Sequence, residues 1–390
     1  MKKKKNIIVF LNAFWRSGEG MSGGDQMFLQ LFGRLRSSFD HFYIYTNKDG
    51  KNAVAGAGLD DIRYKISAGI FDKFNVLASY IFRTLKALNC LRLKEVDVLY
   101  STSDFFPDVL PAYIYKIFHK KTVWFQCVFH ICPDWRFRKG NKIKNFIAQY
   151  LQKYSLFLIQ RADCVININS IVSNYLAGKG FDAGKLVINT PGINLKYFED
   201  LGSEKNVTKY DAVILARLSP TKGIFDLVEI WKLVVLKNSS ARLAIIGGGD
   251  LSIKNELLAK IKVSNLENNI FVLGYLPDNE AFQLIKNSKV FVFPSHEEGF
   301  GISIAEAMAC GVPVVSWDLP VYREIFEDQI ICVKENDVQV LAEKVNYLLS
   351  DDKARHILAL KAGQFIKKYD WGRITSDFYK ILNKYGQIAQ

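Results

Sequence analysis

Two glutamates, Glu298 and Glu306, stand in the part of the chain with the strongest chemical pattern. The short apolar run before them ends at Pro294 and predicts a buried strand, and a helix is expected to follow the glycines after Glu298. Glycines at such a place let backbone N–H groups approach a ligand closely, and a helix N-terminus favours a phosphate group. The residues predicted to form this ligand-binding turn are Gly299, Phe300, Gly301 and Ile302.

The helix predicted from Ile302 to Cys310 carries one charged residue, Glu306, among Ala, Ile, Met and Cys side chains. A helix that is apolar on every side is buried, and a buried carboxylate requires hydrogen-bond partners, which a ribose diol would supply. Glu298 and Glu306 are at most about 12 Å apart along a helix, so they suit opposite ends of one nucleotide-sugar. The competing interpretation is structural: one glutamate caps the helix and the other is salt-bridged in the core.

Two cations, Arg217 and Lys222, follow the strand predicted at residues 212–216. Positive charge at the carboxyl end of a strand would neutralise the diphosphate leaving group of a nucleotide-sugar as its charge develops. The alternative is a solvated loop, and the glutamates nearby favour the functional interpretation. Weaker signals follow two further predicted strands, at Gly247, Gly248 and Leu276.

In the first half, Gly23 and Gly24 precede a helical pattern, and bare amides at a helix start can touch a phosphate. Gly18, Gly20 and Gly23 also fit the GxGxxG spacing of a dinucleotide site. Gly18 lies too far beyond the predicted first strand for the tight turn of that fingerprint. The paired-glycine interpretation is therefore preferred.

Short apolar runs alternate with helical patterns along the 390 residues, which is typical of βαβ units and parallel sheets. The predicted strands are residues 6–11, 41–46, 96–101, 122–125 and 164–167, then 212–216, 243–246, 270–273, 290–293 and 314–315. A polar stretch near residues 200–210 predicts a linker. Ligands of open α/β sheets bind at the carboxyl ends of the strands, which predicts a site in the cleft between two domains.

Glu298, seven residues and then Glu306 resemble the paired-glutamate motif of the retaining glycosyltransferases with the GT-B fold, the family 4-like glycosyl transferases group 1. The resemblance covers most of the chain and is strongest from about residue 187 onward. It implies an α/β fold of two Rossmann-like domains facing across a cleft. The implied boundaries are an acceptor-binding domain at 1–198, a nucleotide-sugar-binding domain at 199–370, and a helix at 371–390 that packs back on the first domain.

The resemblance also implies residue roles. Glu298 would lie beside the transferred sugar, Glu306 would bind the ribose, and the backbone near Leu276 would face the base. His130 would contact the donor sugar or phosphate, although a lone histidine after a strand is more often structural. The implied catalytic residues are Glu298, His130, Arg217 and Lys222, and the implied donor site comprises Gly23, Gly24, Gly247, Gly248, Leu276, Gly299, Phe300, Gly301, Ile302 and Glu306.

The implied reaction transfers a sugar from a nucleotide-diphospho-sugar with retention of anomeric configuration. No nucleophilic carboxylate pair is evident in the sequence, so front-face substitution is expected. No paired-aspartate metal motif is evident either, so neither a cofactor nor a divalent ion is expected. The alternatives are a nucleotide-sugar epimerase or a phosphorylase of the same fold, and a non-catalytic basic binding protein. A phosphorylase would need a pyridoxal lysine, for which the sequence offers no candidate.

Charge is distributed unevenly. Residues 1–200 hold 29 Lys and Arg against 16 Asp and Glu, whereas residues 201–390 hold 23 of each, so the first half carries the whole net charge of +13. This asymmetry predicts an anionic partner, namely a membrane surface that presents a lipid-linked acceptor, with stretches 71–93 and 135–161 as docking candidates. The alternatives are a soluble sugar acceptor and a charge excess that only aids solubility.

No signature of nucleic-acid binding is present. Apolar runs too short to span a bilayer, and six cysteines without metal-ligand spacing, predict a cytoplasmic protein, peripheral on the inner face of the membrane if the basic half docks there. The sequence does not specify the sugar, the base, the acceptor or the oligomeric state.

Overall fold

The computed structural model describes residues 4–14, 21–67, 76–138, 141–202 and 210–386. Their contacts divide the chain into two compact units. The first comprises the described residues up to Pro191 together with those from Trp371 onward, and the second runs from Gly192 to Asp370. The first unit therefore ends before the boundary predicted at residue 198.

The first unit is built on a parallel sheet of β1 (Lys5–Leu11), β2 (Phe39–Thr46), β3 (Arg63–Ile66), β4 (Val98–Ser101), β5 (Val123–Val128), β6 (Cys164–Asn167) and β7 (Leu186–Ile188). The order across the sheet is β3-β2-β1-β4-β5-β6-β7. Between the strands lie α1 (Gly23–Leu35), α2 (Lys48–Gly56), α3 (Val76–Ala87), α4 (Phe106–Phe118), α5 (Lys142–Ile159) and α6 (Ser170–Gly178).

The second unit repeats this plan with β8 (Ala212–Leu215), β9 (Leu243–Ile246), β10 (Ile270–Gly274), β11 (Val290–Phe293), β12 (Val314–Trp317) and β13 (Ile331–Val333). All pairings are parallel, in the order β10-β9-β8-β11-β12-β13. Its helices are α7 (Leu195–Asp200), α8 (Asp226–Lys237), α9 (Leu251–Val263), α10 (Asp278–Lys286), α11 (Ile302–Ala309), α12 (Pro320–Ile325), α13 (Val338–Ser350) and α14 (Asp352–Phe365).

The last helix, α15 (Trp371–Gly386), lies in the first unit. The ring of Phe378 on α15 meets Phe32 on α1 with centroids 5.7 Å apart, and the ring of Tyr100 on β4 at 6.0 Å. The hydroxyl of Tyr385 donates a hydrogen bond to the carbonyl oxygen of Gly184 at 2.7 Å. Aromatic packing and this bond fix the end of the chain on the first unit.

The order of strands reverses between β1 and β4 in the first sheet, and between β8 and β11 in the second. Connections leave in opposite directions at such a point, which opens a crevice at the carboxyl edge of each sheet. All ten predicted strands are confirmed, because strands buried on both faces read as apolar runs. β3, β7 and β13, which lie at sheet edges, are not among the predicted strands. β3 carries the exposed charged residues Arg63 and Lys65, and β7 and β13 are only three residues long.

Candidate active site

The loop after β8 forms a tight turn that presents Lys222. The hydroxyl of Ser219 accepts a hydrogen bond from the backbone N–H of Thr221 at 3.4 Å, and a short 3-10 turn ends at Lys222. Gly223 then adopts a φ of +69°, and a Cβ there would lie 1.9 Å from the carbonyl oxygen of Pro294. Glycine is therefore required where this turn touches the loop after β11.

Lys222 and Glu298 form an ion pair within the second unit. Nζ of Lys222 donates to Oε1 of Glu298 and, at 3.3 Å, to the carbonyl oxygen of Glu297. The side chains of Lys222 and Glu298 are 21% and 11% exposed, so water screens the pair weakly. Arg217 is exposed, and no residue in the described ranges forms an ion pair with it. The two loops therefore hold one cation against a carboxylate and present the other to solvent.

Helix α11 begins without a side-chain cap. Its N-cap residue is Gly301, at a φ of +96°, and a Cβ there would press on the rings of Phe326 and Tyr322 at 3.1 and 3.2 Å. Glu298 is therefore not the capping residue of the structural interpretation. Phe300 is 3% exposed and packs against the ring of Phe326, so only its backbone can face a ligand.

Glu306 lies midway along α11 and is partly buried. Burial, with a smaller contribution from the Asp278 carboxylate, raises the pKa of Glu306 to about 8. Within the described part of the chain, no group donates a hydrogen bond to this carboxylate, so it is not a salt-bridged core residue either. A partly buried carboxyl group without a donor suits a ligand that brings hydroxyl groups.

The ends of β9 and β10 border the loop after β8. Gly247 has a φ of +139°, and a Cβ there would lie 1.9 Å from the carbonyl oxygen of Ala216. The carbonyl oxygen of Gly248 accepts a hydrogen bond from the N–H of Leu218 at 2.8 Å. Leu276 is half-buried, two residues beyond the end of β10. The structure thus brings the predicted glycines of β9 against the loop that carries the two cations.

In the first unit, the predicted glycine pair and histidine lie on neighbouring loops. Gly23 and Gly24 open α1, and a Cβ on Gly24 would lie 2.6 Å from the ring of Phe129, the residue before His130. The carbonyl oxygen of His130 accepts a hydrogen bond from Nε2 of Gln152 at 2.7 Å, which ties this loop to α5. The structure brings these three predicted residues together. The alternative glycines Gly18 and Gly20 lie outside the described residues.

A buried carboxylate in the first unit was missed by sequence reasoning. Asp108, near the start of α4, accepts hydrogen bonds from the N–H groups of Asn12 at 2.6 Å and Ala13 at 3.1 Å. The hydroxyl of Ser103 donates to it at 2.6 Å, and burial raises the pKa of Asp108 to about 7. The polar run directly after β4 was the signal that could have pointed to it. In the second unit, sequence reasoning also missed His296, beside the predicted glutamates.

The side chains at the edge of the second sheet have the chemistry to bind two kinds of group. Arg217 and Lys222 can bind a diphosphate, and Glu298 and Glu306 can bind hydroxyl groups. Among the described helices, none combines the length and apolar character needed to cross a bilayer.

Comparison with known proteins identifies relatives of this chain. Residues 199–364 match the sequence profile of the glycosyl transferases group 1. O-antigen chain mannosyltransferase B of Escherichia coli is 30% identical over 175 residues, which are 44% of this chain and 46% of that protein. This chain therefore spans less than half of that relative.

A longer match and a solved structure extend the comparison. The N,N'-diacetylbacillosaminyl-diphospho-undecaprenol alpha-1,3-N-acetylgalactosaminyltransferase of Campylobacter jejuni is 28% identical over 357 residues, covering 88% of this chain and 90% of that protein. The structure of Anabaena HepE in complex with UDP and glucose superposes with a TM-score of 0.76 at 17% identity, covering 97% of this chain and 100% of the other. At this low sequence identity, the similarity to the HepE structure shows a shared fold alone.

Proposed function

We propose that this chain, which has the GT-B fold and whose residues 199–364 match the glycosyl transferases group 1, is a retaining hexosyltransferase. The proposed reaction moves a hexose-type sugar from a nucleotide-diphospho-sugar to an acceptor. The observation that carries the proposal is the ion pair of Lys222 with Glu298, beside the exposed Arg217. It joins the charge that a diphosphate needs to a carboxylate that can contact the adjoining sugar.

The second unit is the proposed donor site. Glu306 would accept hydrogen bonds from the ribose hydroxyls, because its carboxylate has no donor among the described residues. The backbone of Gly247, Gly248 and Leu276 would border the nucleotide, and the amides from Gly299 to Ile302 would face the phosphates. The UDP named for the structure of HepE makes a uridine nucleotide the first candidate donor.

We propose front-face substitution, since Lys222 already engages the carboxylate of Glu298. The bond from the anomeric carbon to the diphosphate oxygen breaks as the acceptor oxygen bonds to the same face, and the leaving phosphate takes the acceptor's proton. Arg217 and Lys222 would stabilise the negative charge that grows on the diphosphate. These two cations would supply that charge without a divalent ion.

The proposed acceptor is a glycan linked to a lipid, recognised by the first unit. The Campylobacter relative is named for an acceptor carried on diphospho-undecaprenol, which supports an acceptor of this class. His130, with Gly23 and Gly24 on the neighbouring loop, would contact the donor sugar or phosphate from the first unit.

A stripe of apolar residues on α5 supports docking of the first unit on the cytoplasmic face of a membrane. The stripe consists of Ile143, Phe146, Ile147, Tyr150, Tyr154 and Phe157, which are 41–72% exposed. Their spacing places them on one side of the helix, and the buried Asn145, Leu156 and Ile159 lie on another. An amphipathic helix normally buries its apolar stripe, so an exposed stripe with flanking lysines supports the proposal of an interfacial surface.

Incubation of the purified protein with UDP-, GDP- and ADP-sugars tests the proposal. We expect one donor to release its nucleoside diphosphate, and the release should be faster when a lipid-linked acceptor is added. Release should persist in the presence of EDTA. Proton NMR of the product then gives the configuration of the new bond. An inverted product would contradict retention, and no release from any sugar of the panel would contradict the transferase itself.

A further inference from the structure

His296 lies in the loop between β11 and α11, two residues before Glu298, and its side chain is only 6% exposed. Its ring is held from both sides. Nε2 lies 2.6 Å from Oδ2 of Asp226 at the start of α8, and Nδ1 is hydrogen-bonded to Oε1 of Glu335. The two carboxylates approach opposite ring nitrogens, so the three groups do not converge on one point as metal ligands would.

The proton count follows from these contacts. An ionised carboxylate can only accept hydrogen bonds, so each ring nitrogen must carry a proton, and a ring with two N–H groups is an imidazolium. Oδ2 of Asp226 also accepts a hydrogen bond from Nε1 of Trp317 at 3.2 Å, and two such N–H donors on one oxygen favour the ionised carboxylate. Glu335 is 42% exposed, and water solvates its charge. With both carboxylates ionised, the ring of His296 is a buried cation between two anions.

The same residue joins the two loops of the candidate active site. The backbone N–H of His296 donates to the carbonyl oxygen of Thr221 at 2.8 Å, directly before Lys222. The hydroxyl of Ser295 donates to that oxygen at 3.3 Å. The backbone thus binds the turn of Lys222, while the ring binds the helix that follows this turn.

We propose that His296, as an imidazolium, is a positioning residue that holds the loop of Glu298 against the turn of Lys222. This inference rests on the proposed transferase site. Loss of the ring would remove two charged hydrogen bonds and leave Asp226 partly buried without its cation. The loop of Glu298 would then shift, and a displacement of about 1 Å near reacting groups can cost about 100-fold in rate.

The first test measures catalysis. We expect His296→Gln to lower kcat for the preferred donor by about 10- to 100-fold while KM changes less than about threefold, because Glu306 and Arg217 are untouched. His356→Gln on α14, where the histidine is exposed, is the matched control and should behave as wild type. A kcat of His296→Gln within about twofold of the control would overturn the proposal.

Chemical rescue separates positioning from general damage to the fold. In His296→Ala, added imidazole should restore part of kcat, with rescue fading as pH rises and imidazole loses its second proton. Should this variant fail to fold, Glu335→Gln replaces it, because Glu335 is partly exposed and its substitution leaves no cavity. It should lower kcat by about three- to tenfold with KM maintained, and an unchanged kcat would count against the proposal.

The protonation state can be measured without any substrate, so its outcome is independent of the proposed function. In protein labelled with ¹⁵N-histidine, one of the five histidines should show two protonated ring nitrogens at pH 7, and its signal should vanish in His296→Gln. A single proton on that ring would overturn the imidazolium. If wild type transfers no sugar while the doubly protonated ring is present, the proposed function fails, and the contacts of His296 with Asp226 and Glu335 have a structural role only.

Discussion

Nζ of Lys222 is hydrogen-bonded to the carboxylate of Glu298, so the cation proposed to hold the diphosphate and the carboxylate proposed to face the sugar neutralise each other. A donor diphosphate would compete with Glu298 for the charge of Lys222. Binding of the leaving group and orientation of the sugar-facing carboxylate are thereby coupled through one side chain.

This coupling predicts opposite effects for Glu298→Gln on binding and on turnover. Without the carboxylate, Lys222 is released toward phosphate, so affinity for the nucleoside diphosphate should be equal or a few-fold higher. The kcat for sugar transfer should fall about 100-fold, because the carboxylate beside the sugar is lost. Calorimetry and initial rates measure the two effects. Glu256→Gln, at an exposed position on α9, is the control. If Glu298→Gln bound the nucleotide more weakly than wild type while the control did not, the coupling would be contradicted.

Removal of either cation should slow the reaction more than it weakens binding. Charge on the diphosphate grows in the transition state, so we expect Lys222→Ala and Arg217→Ala each to lower kcat by about 100-fold with a smaller change in KM. Lys232→Ala, which removes a surface lysine paired with Glu229 at 2.9 Å, is the matched control. A variant that keeps its full kcat does not contribute to the proposed clamp.

Glu306→Ala should weaken binding of the nucleoside diphosphate, since the ribose loses its acceptor. The raised pKa leaves Glu306 protonated at neutral pH, and a hydrogen bond between uncharged groups is worth about 0.5–1.5 kcal/mol, which corresponds to roughly two- to tenfold in Kd. Circular dichroism should show an intact fold. The 2′,3′-dideoxy nucleotide provides the complementary control, because wild type and variant should bind it equally. Unchanged affinity for the normal nucleotide would remove Glu306 from the site.

The raised pKa of Glu306 also predicts a pH-dependent stability. The folded protein holds this proton up to about pH 8, whereas the unfolded chain releases it near the usual glutamate value. The stability that the proton on Glu306 gives to the folded state is therefore complete below the pKa of the unfolded chain and is lost as pH rises through about 8. Glu306→Gln cannot ionise, so its melting temperature should match wild type near pH 4.5 and exceed it at pH 9.

One unit of pKa corresponds to about 1.4 kcal/mol, and partial exposure reduces the effect. The free energy of unfolding of Glu306→Gln should therefore exceed that of wild type by on the order of 1–3 kcal/mol at pH 9. Thermal unfolding of both proteins at several pH values measures it. Glu343→Gln, exposed on α13, should leave the pH dependence unaltered. Identical curves for Glu306→Gln and wild type would show that Glu306 ionises as an ordinary surface residue.

The fold could be predicted from the sequence because its signals are local. Strands such as β9 and β11 are continuous apolar runs, which predict buried strands without any knowledge of their neighbours in the fold. The edge strand β3 gave no such signal, since the charged Arg63 and Lys65 interrupt its apolar character. The adjacency of Gly24 and Phe129 likewise depends on tertiary packing that spacing alone does not encode.

The sequence predicted which residues form the candidate site, but it did not predict which of their side chains contact each other. The glutamates and the cations stood out in the sequence, yet nothing there showed that Lys222 contacts Glu298, because 76 residues separate them. Asp108 and His296 were missed for the same reason. Asn12, which donates to Asp108, is 96 residues away in sequence, and Asp226, which contacts His296, is 70 residues away. Each of the two missed residues looks like an ordinary loop or helix-start residue when only its neighbours in sequence are considered.

The exposed stripe of α5 predicts reversible binding to anionic membranes. Vesicles containing phosphatidylglycerol should carry the protein upward in a flotation gradient at low salt, and binding should decline as salt rises. Within the predicted docking stretch 135–161, Arg136 is paired with Asp134 at 2.6 Å, and Lys139 lies outside the described residues. The lysines to test are therefore Lys144 and Lys153, both exposed on α5.

Each neighbouring lysine is worth about 1 kcal/mol toward an anionic surface, so Lys144→Glu with Lys153→Glu should lower binding at least tenfold. Lys237→Glu with Lys262→Glu makes the same charge change on the second unit and should bind as wild type. Tyr154→Ser with Phe157→Ser should weaken binding that persists at high salt, because the apolar contribution is lost. The control for that pair is Leu236→Ser with Val263→Ser, which are 80% and 85% exposed on the second unit. Equal flotation of all four variants, or none by wild type at low salt, would favour a soluble acceptor.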